Sequence, residues 1–147
     1  MGELVAKIIV SHCEARDIIA WKYGLRNEQA PANELVGLKS LDLSFNKLGA
    51  EAAKALSFAL KHDRYLLSLN LRHNQFSNED ATSICASLSH NKTLFNLDLR
   101  SNIKIKQKVY RKIAVKLLEN YTLVGKMTPS NVWTKDRLYF NNDLLVV

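Results

Sequence analysis

The sequence has few of the residues that cross-link or interrupt a chain. Its 147 residues include two cysteines, two prolines and five glycines. Two cysteines cannot supply the disulfide framework of a small secreted domain, so Cys13 and Cys85 are interpreted as reduced thiols. The low proline and glycine content, together with an apolar fraction of 47%, indicates a folded chain rather than a disordered one.

Signals for membranes, metals and catalysis are also missing. No apolar run approaches the length of about 18 residues that a membrane helix needs. The N-terminal segment lacks the basic lead and long apolar run of a secretory signal. The four histidines are scattered, no cysteine or histidine lies at metal-ligand spacing, and no phosphate-binding loop or catalytic motif occurs. We therefore predict no catalytic residue, no cofactor and no metal site.

A repeat with a period of 28 residues is the main feature that is present. Residues 38–46, 66–74 and 94–102 read LKSLDLSFN, LLSLNLRHN and LFNLDLRSN. Leucine occupies the first, fourth and sixth positions of each segment, and asparagine occupies the ninth. A fixed period of this kind indicates a stack of repeated structural units. The alternation of leucine with polar residues predicts a short strand with one buried face in each unit.

Apolar residues at helical spacing follow each predicted strand. They predict one buried helix face per unit. The residues on these faces are Ala53, Leu56 and Leu60, then Ala81, Ile84, Cys85 and Leu88, and then Tyr110, Ile113, Ala114 and Leu117. Ser77, with Asp80 three residues later, predicts a capped N-terminus for the second helix. A strand–helix unit buries its apolar side only when neighbouring units stack on it.

The pattern LxxLxLxxN resembles the leucine-rich repeat, and the period with a helical second half resembles its ribonuclease-inhibitor type. The resemblance implies an α/β fold, a short right-handed solenoid with a curved parallel sheet and outer helices. It also implies a ladder of side-chain hydrogen bonds through the stacked turns. The residues at the ladder positions are Cys13, Asn46, Asn74 and Asn102, where Cys13 replaces asparagine in a divergent first repeat.

We predict one domain over residues 1–147, with about four repeats. Residues 1–33 form the divergent first repeat, 34–122 three regular repeats, and 123–147 a C-terminal cap. The strand template fits residues 5–10, from Val5 to Val10, with Ile8 facing the core and Ile9 facing outward. The edge of this predicted strand is unshielded, so we expect it to pair with another chain.

The closing section carries a second resemblance. The run LLENYTLVGK at 117–126, followed by RLYFNNDL at 137–144, resembles the C-terminal end of tropomodulins and leiomodins, which are actin pointed-end proteins. This likeness implies a capping role for the tail and a cytoskeletal setting. The actin-binding N-terminal half of that family has no counterpart in this sequence.

Two surfaces are candidates for binding a partner. Polar residues between the core leucines would line the concave face, either as a self-satisfied ladder or as a recognition surface for a protein segment. These residues are Asp42, Ser44, Phe45, Asn70, Arg72, His73, Asp98 and Arg100. The second surface is a basic patch formed by Lys104, Lys106, Lys108, Arg111, Lys112 and Lys116. With a net charge of +7, this patch predicts an acidic partner, whether a protein, RNA or an anionic lipid surface.

The function predicted from these features is a non-catalytic protein–protein interaction adaptor. We expect it in the cytoplasm, within a larger cytoskeletal or ciliary assembly, with a protein partner that has an acidic surface and without a membrane span. The alternative is a nucleic-acid-associated protein that binds through the basic stretch at 100–116. The few aromatic residues interleaved with that stretch disfavour this alternative.

Overall fold

Strands and helices alternate along the chain after one N-terminal helix. The computed structural model describes residues 2–31, 38–102 and 105–127. The elements of these residues are α1 (Gly2–Gly24), β1 (Ser40–Asp42), α2 (Ala50–His62), β2 (Ser68–Asn70), α3 (Asn78–Ser87), β3 (Asn96–Asp98) and α4 (Gln107–Met127). The strands form a parallel sheet in the order β1–β2–β3, and each helix contacts the next one in the chain. This arrangement agrees with the predicted α/β class.

The repeat period sets the register of the sheet. Leu41 lies opposite Leu69, and Leu69 lies opposite Leu97, so equivalent leucines form one column. Leu69 and Leu97 are buried, and Leu41 is half-buried. Neighbouring repeats therefore bury the apolar side of each three-residue strand.

The predicted helix faces pack against these leucines. Their fully or nearly fully buried members are Ala53, Leu56, Leu60, Ala81, Ile84, Leu88, Ile113 and Leu117. Cys85, Tyr110 and Ala114 are half-buried. The capping box at the start of α3 is present, because Ser77 Oγ accepts from the Asp80 N–H while Asp80 Oδ2 accepts from the Ser77 N–H.

The predicted strand at residues 5–10 is wrong, because these residues belong to helix α1. Its buried residues are Gly2, Ala6, Ile9 and Cys13, which recur at helical spacing. Apolar residues also lie on the exposed side of the helix, at Leu4, Ile8 and Ile18. With two apolar faces, the segment fits the strand template as well as a helix. The prediction that residues 5–10 pair with another chain as an open strand edge is therefore also wrong.

Helix α1 packs alongside α2 and runs in the same direction. Gly2 lies so close to Ala52, near the start of α2, that a β-carbon at Gly2 would collide with it. Near the end of α2, the Cys13 thiol donates to the His62 carbonyl at 3.6 Å. Helix α1 therefore occupies the position of a repeat helix, and the assignment of Cys13 to the turn ladder is wrong.

Buried amide groups connect the turns that follow the strands. Asn74 Oδ1 accepts from the backbone N–H groups of Asn46 and Leu48, at 3.1 and 2.9 Å. Asn74 Nδ2 donates to the carbonyls of Leu43 and Leu71, at 2.9 and 3.0 Å. One side chain thus satisfies backbone groups of two consecutive repeats, which would otherwise be unpaired in the interior.

The other two asparagines of this series differ in their surroundings. Asn102 makes the same contacts in the next repeat, where its Nδ2 donates to the Leu71 and Leu99 carbonyls at 2.9 and 2.8 Å. Asn46 is exposed, and its Nδ2 donates within its own turn to the Ser44 carbonyl. The bridging contacts therefore come from Asn74 and Asn102.

A second series of side chains bridges the turns that lead from helix to strand. Asn91 Nδ2 donates to the carbonyls of Leu60 and Asp63, at 2.8 and 3.0 Å. Asn120 Nδ2 donates in turn to the carbonyls of Asn91 and Leu94, at 3.0 and 2.8 Å. Both asparagines are buried. The recurrence of Asn91 and Asn120 at similar repeat positions is visible in the sequence, but their bonds to the preceding repeat were not predicted.

Two predicted features fall partly or wholly outside the described residues. Of the predicted C-terminal cap, residues 123–127 belong to α4, and residues 128–147 lie outside the description. Lys104 of the basic patch also lies outside it. The boundaries given for the repeats and the cap remain predictions.

Neighbouring isoleucines test the assignment of α1. Ile9 is 1% exposed against α2, whereas Ile8 is 43% exposed. Ile9→Lys should lower the free energy of unfolding by more than about 3 kcal/mol, because it places an unpaired charge in the core. Ile8→Lys, the matched control, should change it by less than about 0.5 kcal/mol. Urea denaturation monitored by circular dichroism measures both changes. A larger loss of unfolding free energy for Ile8→Lys than for Ile9→Lys would contradict the assignment of α1 as a helix.

A second pair of variants tests the turn series. Asn74→Ala should lower the free energy of unfolding by about 3 kcal/mol, because several buried backbone groups lose their partner. Asn46→Ala makes the same chemical change at the exposed position and should cost less than about 1 kcal/mol. Thermal and urea unfolding of both variants would provide the comparison. Equal losses would show that bridging between repeats does not matter.

Candidate functional site

The residues predicted to line the concave face lie at the last position of each strand and in the turn that follows it, and we call them the strand surface. They are Asp42, Ser44, Phe45, Asn70, Arg72, His73, Asp98 and Arg100. Asp42 and Asn70, which are equivalent residues of neighbouring strands, form hydrogen bonds with each other and with nearby backbone groups. Asn70 Nδ2 donates to Asp42 Oδ2 at 3.0 Å, and Asn70 Oδ1 accepts from the Arg72 N–H at 3.0 Å. Asp42 Oδ1 accepts from the Ser44 N–H at 2.8 Å. These side chains therefore bind backbone N–H groups where the strands end.

Asp98 and Arg100 form the most extensive polar contact of the strand surface. The Arg100 guanidinium donates from Nε to both Asp98 oxygens at 3.0 Å and from Nη2 to Oδ2 at 2.6 Å. Burial favours the neutral carboxyl group. The hydrogen bonds and positive charge of Arg100 outweigh this effect and hold the pKa of Asp98 below its ordinary value of 3.8. Much of the binding capacity of Arg100 is therefore used inside the molecule.

Phe45 and His73 form an aromatic pair at one end of the strand surface. Their rings stack with centroids 4.4 Å apart and an interplanar angle of 13°. Phe45 is 69% exposed, although large apolar side chains are more often buried. Both residues have left-handed backbones, with φ of 59° and 51°, and so does Ser101 at the equivalent position of the next repeat, with φ of 58°. A left-handed backbone is unfavourable for residues with a β-carbon, so the turn holds these side chains in place.

One edge strand of the described sheet is β1, whereas residues 5–10 lie in α1. Side chains occupy part of this edge. The Ser44 N–H donates to Asp42, and the Ser44 carbonyl accepts from Asn46 Nδ2 at 2.9 Å. Because those backbone groups are already paired, this end of β1 is a poor template for an added strand.

A groove between α3 and α4 contains most of the predicted basic patch. Its volume is about 960 Å³. The α4 wall carries four cations, namely Lys108, Arg111, Lys112 and Lys116. The opposite wall carries short residues, namely Thr82, Cys85 and Ala86 of α3 and Ser89 just after it. Lys106 is exposed ahead of α4 and is not part of the lining. The structure thus brings four of the six predicted basic residues to one site.

Burial and positive charge act in opposite directions on the pKa of the Cys85 thiol in this groove. Burial raises the pKa of its thiol, while the positive charges of Lys112 and Lys116 act in the opposite direction and only partly offset it. The net direction is upward, which disfavours the reactive thiolate. Cys85 therefore lines the groove as a neutral thiol.

The described residues contain none of the groups that would indicate a metal centre or a membrane span. No cluster of three or more histidine, cysteine, aspartate or glutamate side chains occurs among them. None of their helices combines the length and apolarity needed to cross a bilayer.

The leucine-rich repeat family profile matches two segments of the chain, residues 38–57 and 62–85. Each segment covers a strand and most of the helix that follows it. These segments are similar to leucine-rich repeats. A search of curated proteins found no match to the chain. Leucine-rich repeats are typically non-enzymatic and generally mediate protein–protein interactions.

The contact between Asp98 and Arg100 predicts a pH-dependent contribution to stability. Because the folded-state pKa of Asp98 lies below 3.8, its carboxylate stabilises the fold above that pH and loses this effect as the pH falls further. Asp98→Asn should lower the free energy of unfolding by about 1 kcal/mol at neutral pH. The difference from the unmodified protein should shrink as the pH falls below 3.8.

Urea unfolding over a pH series measures this difference. Asparagine is suitable for the test because Asn70 occupies the equivalent position in the preceding repeat. A difference that stays constant down to strongly acidic pH would contradict the role assigned to the carboxylate.

Proposed function

We propose that this chain is a non-catalytic protein-interaction module that binds a partner through the strand surface. The observation that carries the proposal is the exposed stack of Phe45 on His73. Leucine-rich repeats, to which two segments are similar, generally mediate protein–protein interactions.

The aromatic pair has the properties of a binding hot spot. Protein interfaces concentrate their binding energy in a few aromatic and arginine side chains that a partner removes from water. Phe45 supplies exposed apolar area, and its fixed turn reduces the entropy that binding would otherwise cost. Arg72, which precedes His73 in the chain and is also exposed, adds a cation to the strand surface.

The chemistry of this surface specifies a complementary partner segment. Such a segment would place an apolar or aromatic side chain on Phe45 and a carboxylate near Arg72. Since Asp98 already engages Arg100, the strand surface offers Arg72 as its more accessible cation. A partner with an acidic surface therefore fits better than a basic one.

The setting proposed for this module is a larger intracellular assembly of the cytoskeletal or ciliary kind. Support comes from the resemblance of the closing section to tropomodulins and leiomodins, and from the presence of free thiols at Cys13 and Cys85. The period and the helical second half of each unit support the ribonuclease-inhibitor type of repeat.

Variants of two exposed phenylalanines test the proposal. The full chain is immobilised and used to capture proteins from a native extract, which are quantified by mass spectrometry. Phe45→Ala should reduce capture of a specific partner by about tenfold or more, because it removes the aromatic anchor. Binding of that partner, once purified, should show the same dependence in calorimetry.

Phe58→Ala provides the matched control for this experiment. Phe58 is 63% exposed on α2 and also contacts a histidine, with its ring centroid 4.6 Å from that of His62. Capture should be unchanged in this variant. The proposal fails if no captured protein distinguishes Phe45→Ala from Phe58→Ala.

A further inference from the structure

We propose that the groove between α3 and α4 binds an acidic, amphipathic helical segment of a partner protein. This proposal rests on the proposed function in one respect, because both assign a protein partner to the chain. The site is separate from the strand surface, since its lining comes from the helix layer.

The two walls of the groove differ in the length of their side chains. On the α3 wall, the exposed residues Thr82 and Ala86, and Ser89 just after the helix, are short. On α4, the lining includes long cationic side chains. Short side chains on one wall leave room for a further element beside α4. Two neighbouring helices with such a space between them form a groove that can bind a third helix, which is a common mode of peptide recognition.

The cations of the α4 wall are regularly spaced. Lys108, Lys112 and Lys116 recur at every fourth residue, so successive members are about 6 Å apart along the helix axis. A partner helix that runs along the groove would present carboxylates at the same interval if its acidic residues also recur at every fourth position. The spacing therefore matches a helical segment.

The positive charge on this wall is largely uncompensated. Within residues 2–31, 38–102 and 105–127, no carboxylate forms an ion pair with Lys108, Arg111 or Lys112. Lys116 is paired with Glu119 at 2.9 Å, at the end of the row. Like charges at four-residue spacing destabilise a helix slightly, and an acidic ligand would remove that repulsion.

Apolar groups in the groove distinguish this ligand from a simple polyanion. Val115 lies among the cations and is 56% exposed, and Cys85 and Ala86 face it from the other wall. A phosphate backbone would satisfy the lysines but would leave this apolar area in water. An amphipathic segment with acidic residues beside leucine-like residues covers both parts. Among the residues that the structure describes, the lining contains no aromatic ring on which a base could stack, which disfavours nucleic acid.

The dimensions of the groove set the length of the segment. The α4 wall extends from Gln107 to Lys116, which corresponds to about 14 Å of helix. An occupant of about ten residues, or nearly three turns, would fill it.

A synthetic peptide provides the test. The probe is a fluorescein-labelled helical peptide with glutamate at every fourth position and leucine along the adjoining stripe, and fluorescence anisotropy with the full chain measures its binding. A peptide of the same composition in scrambled order and a single-stranded oligouridine serve as comparison probes. Saturable binding of the ordered peptide at least about tenfold tighter than that of the scrambled peptide is expected.

Variants in the groove then separate charge from apolar contact. Lys112→Glu and Val115→Ser should each weaken binding of the ordered peptide by about tenfold. Lys106→Glu makes the same charge change just outside the groove and should weaken it by less than about twofold. Unchanged circular dichroism and unfolding midpoints would show that all three variants retain the fold.

Other outcomes would overturn the proposal in distinguishable ways. Equal binding of ordered and scrambled peptides, insensitivity to Val115→Ser, or tighter binding of oligouridine would indicate a polyanion site. Absence of saturable peptide binding would eliminate the groove as a peptide site. Phe45→Ala should leave peptide binding unchanged, so failure here is separate from failure of the strand-surface experiment.

Discussion

The hydrogen bonds that asparagine side-chain amides make to the backbone of neighbouring repeats are the interaction on which the rest of this fold depends. Each strand–helix unit must reverse direction twice, and each reversal leaves backbone groups without secondary-structure partners. Asn74 and Asn102 satisfy those groups after the strands, and Asn91 and Asn120 satisfy them before the next strand. Because one amide contacts two consecutive repeats, the turns remain aligned while the leucines stack. The period of the sequence follows from this geometric requirement.

The same turns determine what the molecule displays. The residue before each asparagine of the first series has a left-handed backbone, at Phe45, His73 and Ser101. Side chains at these positions project together from one end of the sheet, and two of them stack. The contacts that hold the repeats together therefore also position the aromatic pair. Stability and the recognition that we propose are therefore coupled at this end of the fold.

The two exposed surfaces differ in how far their charges are satisfied within the molecule. On the strand surface, Asp98 binds Arg100 and Asn70 binds Asp42, so much of the polarity is internal. In the groove between α3 and α4, most cations lack an acidic partner among the described residues, and apolar groups lie beside them. The first surface is suited to recognition through an aromatic anchor. The second is suited to recognition through charge together with an apolar strip.

The sequence alone determined the repeat, the alternation of strand and helix, and the residues at each strand position, because those features depend on spacing within one unit. Only the tertiary structure decided that residues 2–24 form a helix. Apolar residues such as Ile8 and Ile9 lie on both faces of α1, so their spacing fits a strand as well as a helix. The tertiary structure also decided that Phe45 stacks on His73 and that α3 and α4 enclose a groove. These are contacts between units, and their geometry depends on stacking that no local pattern specifies.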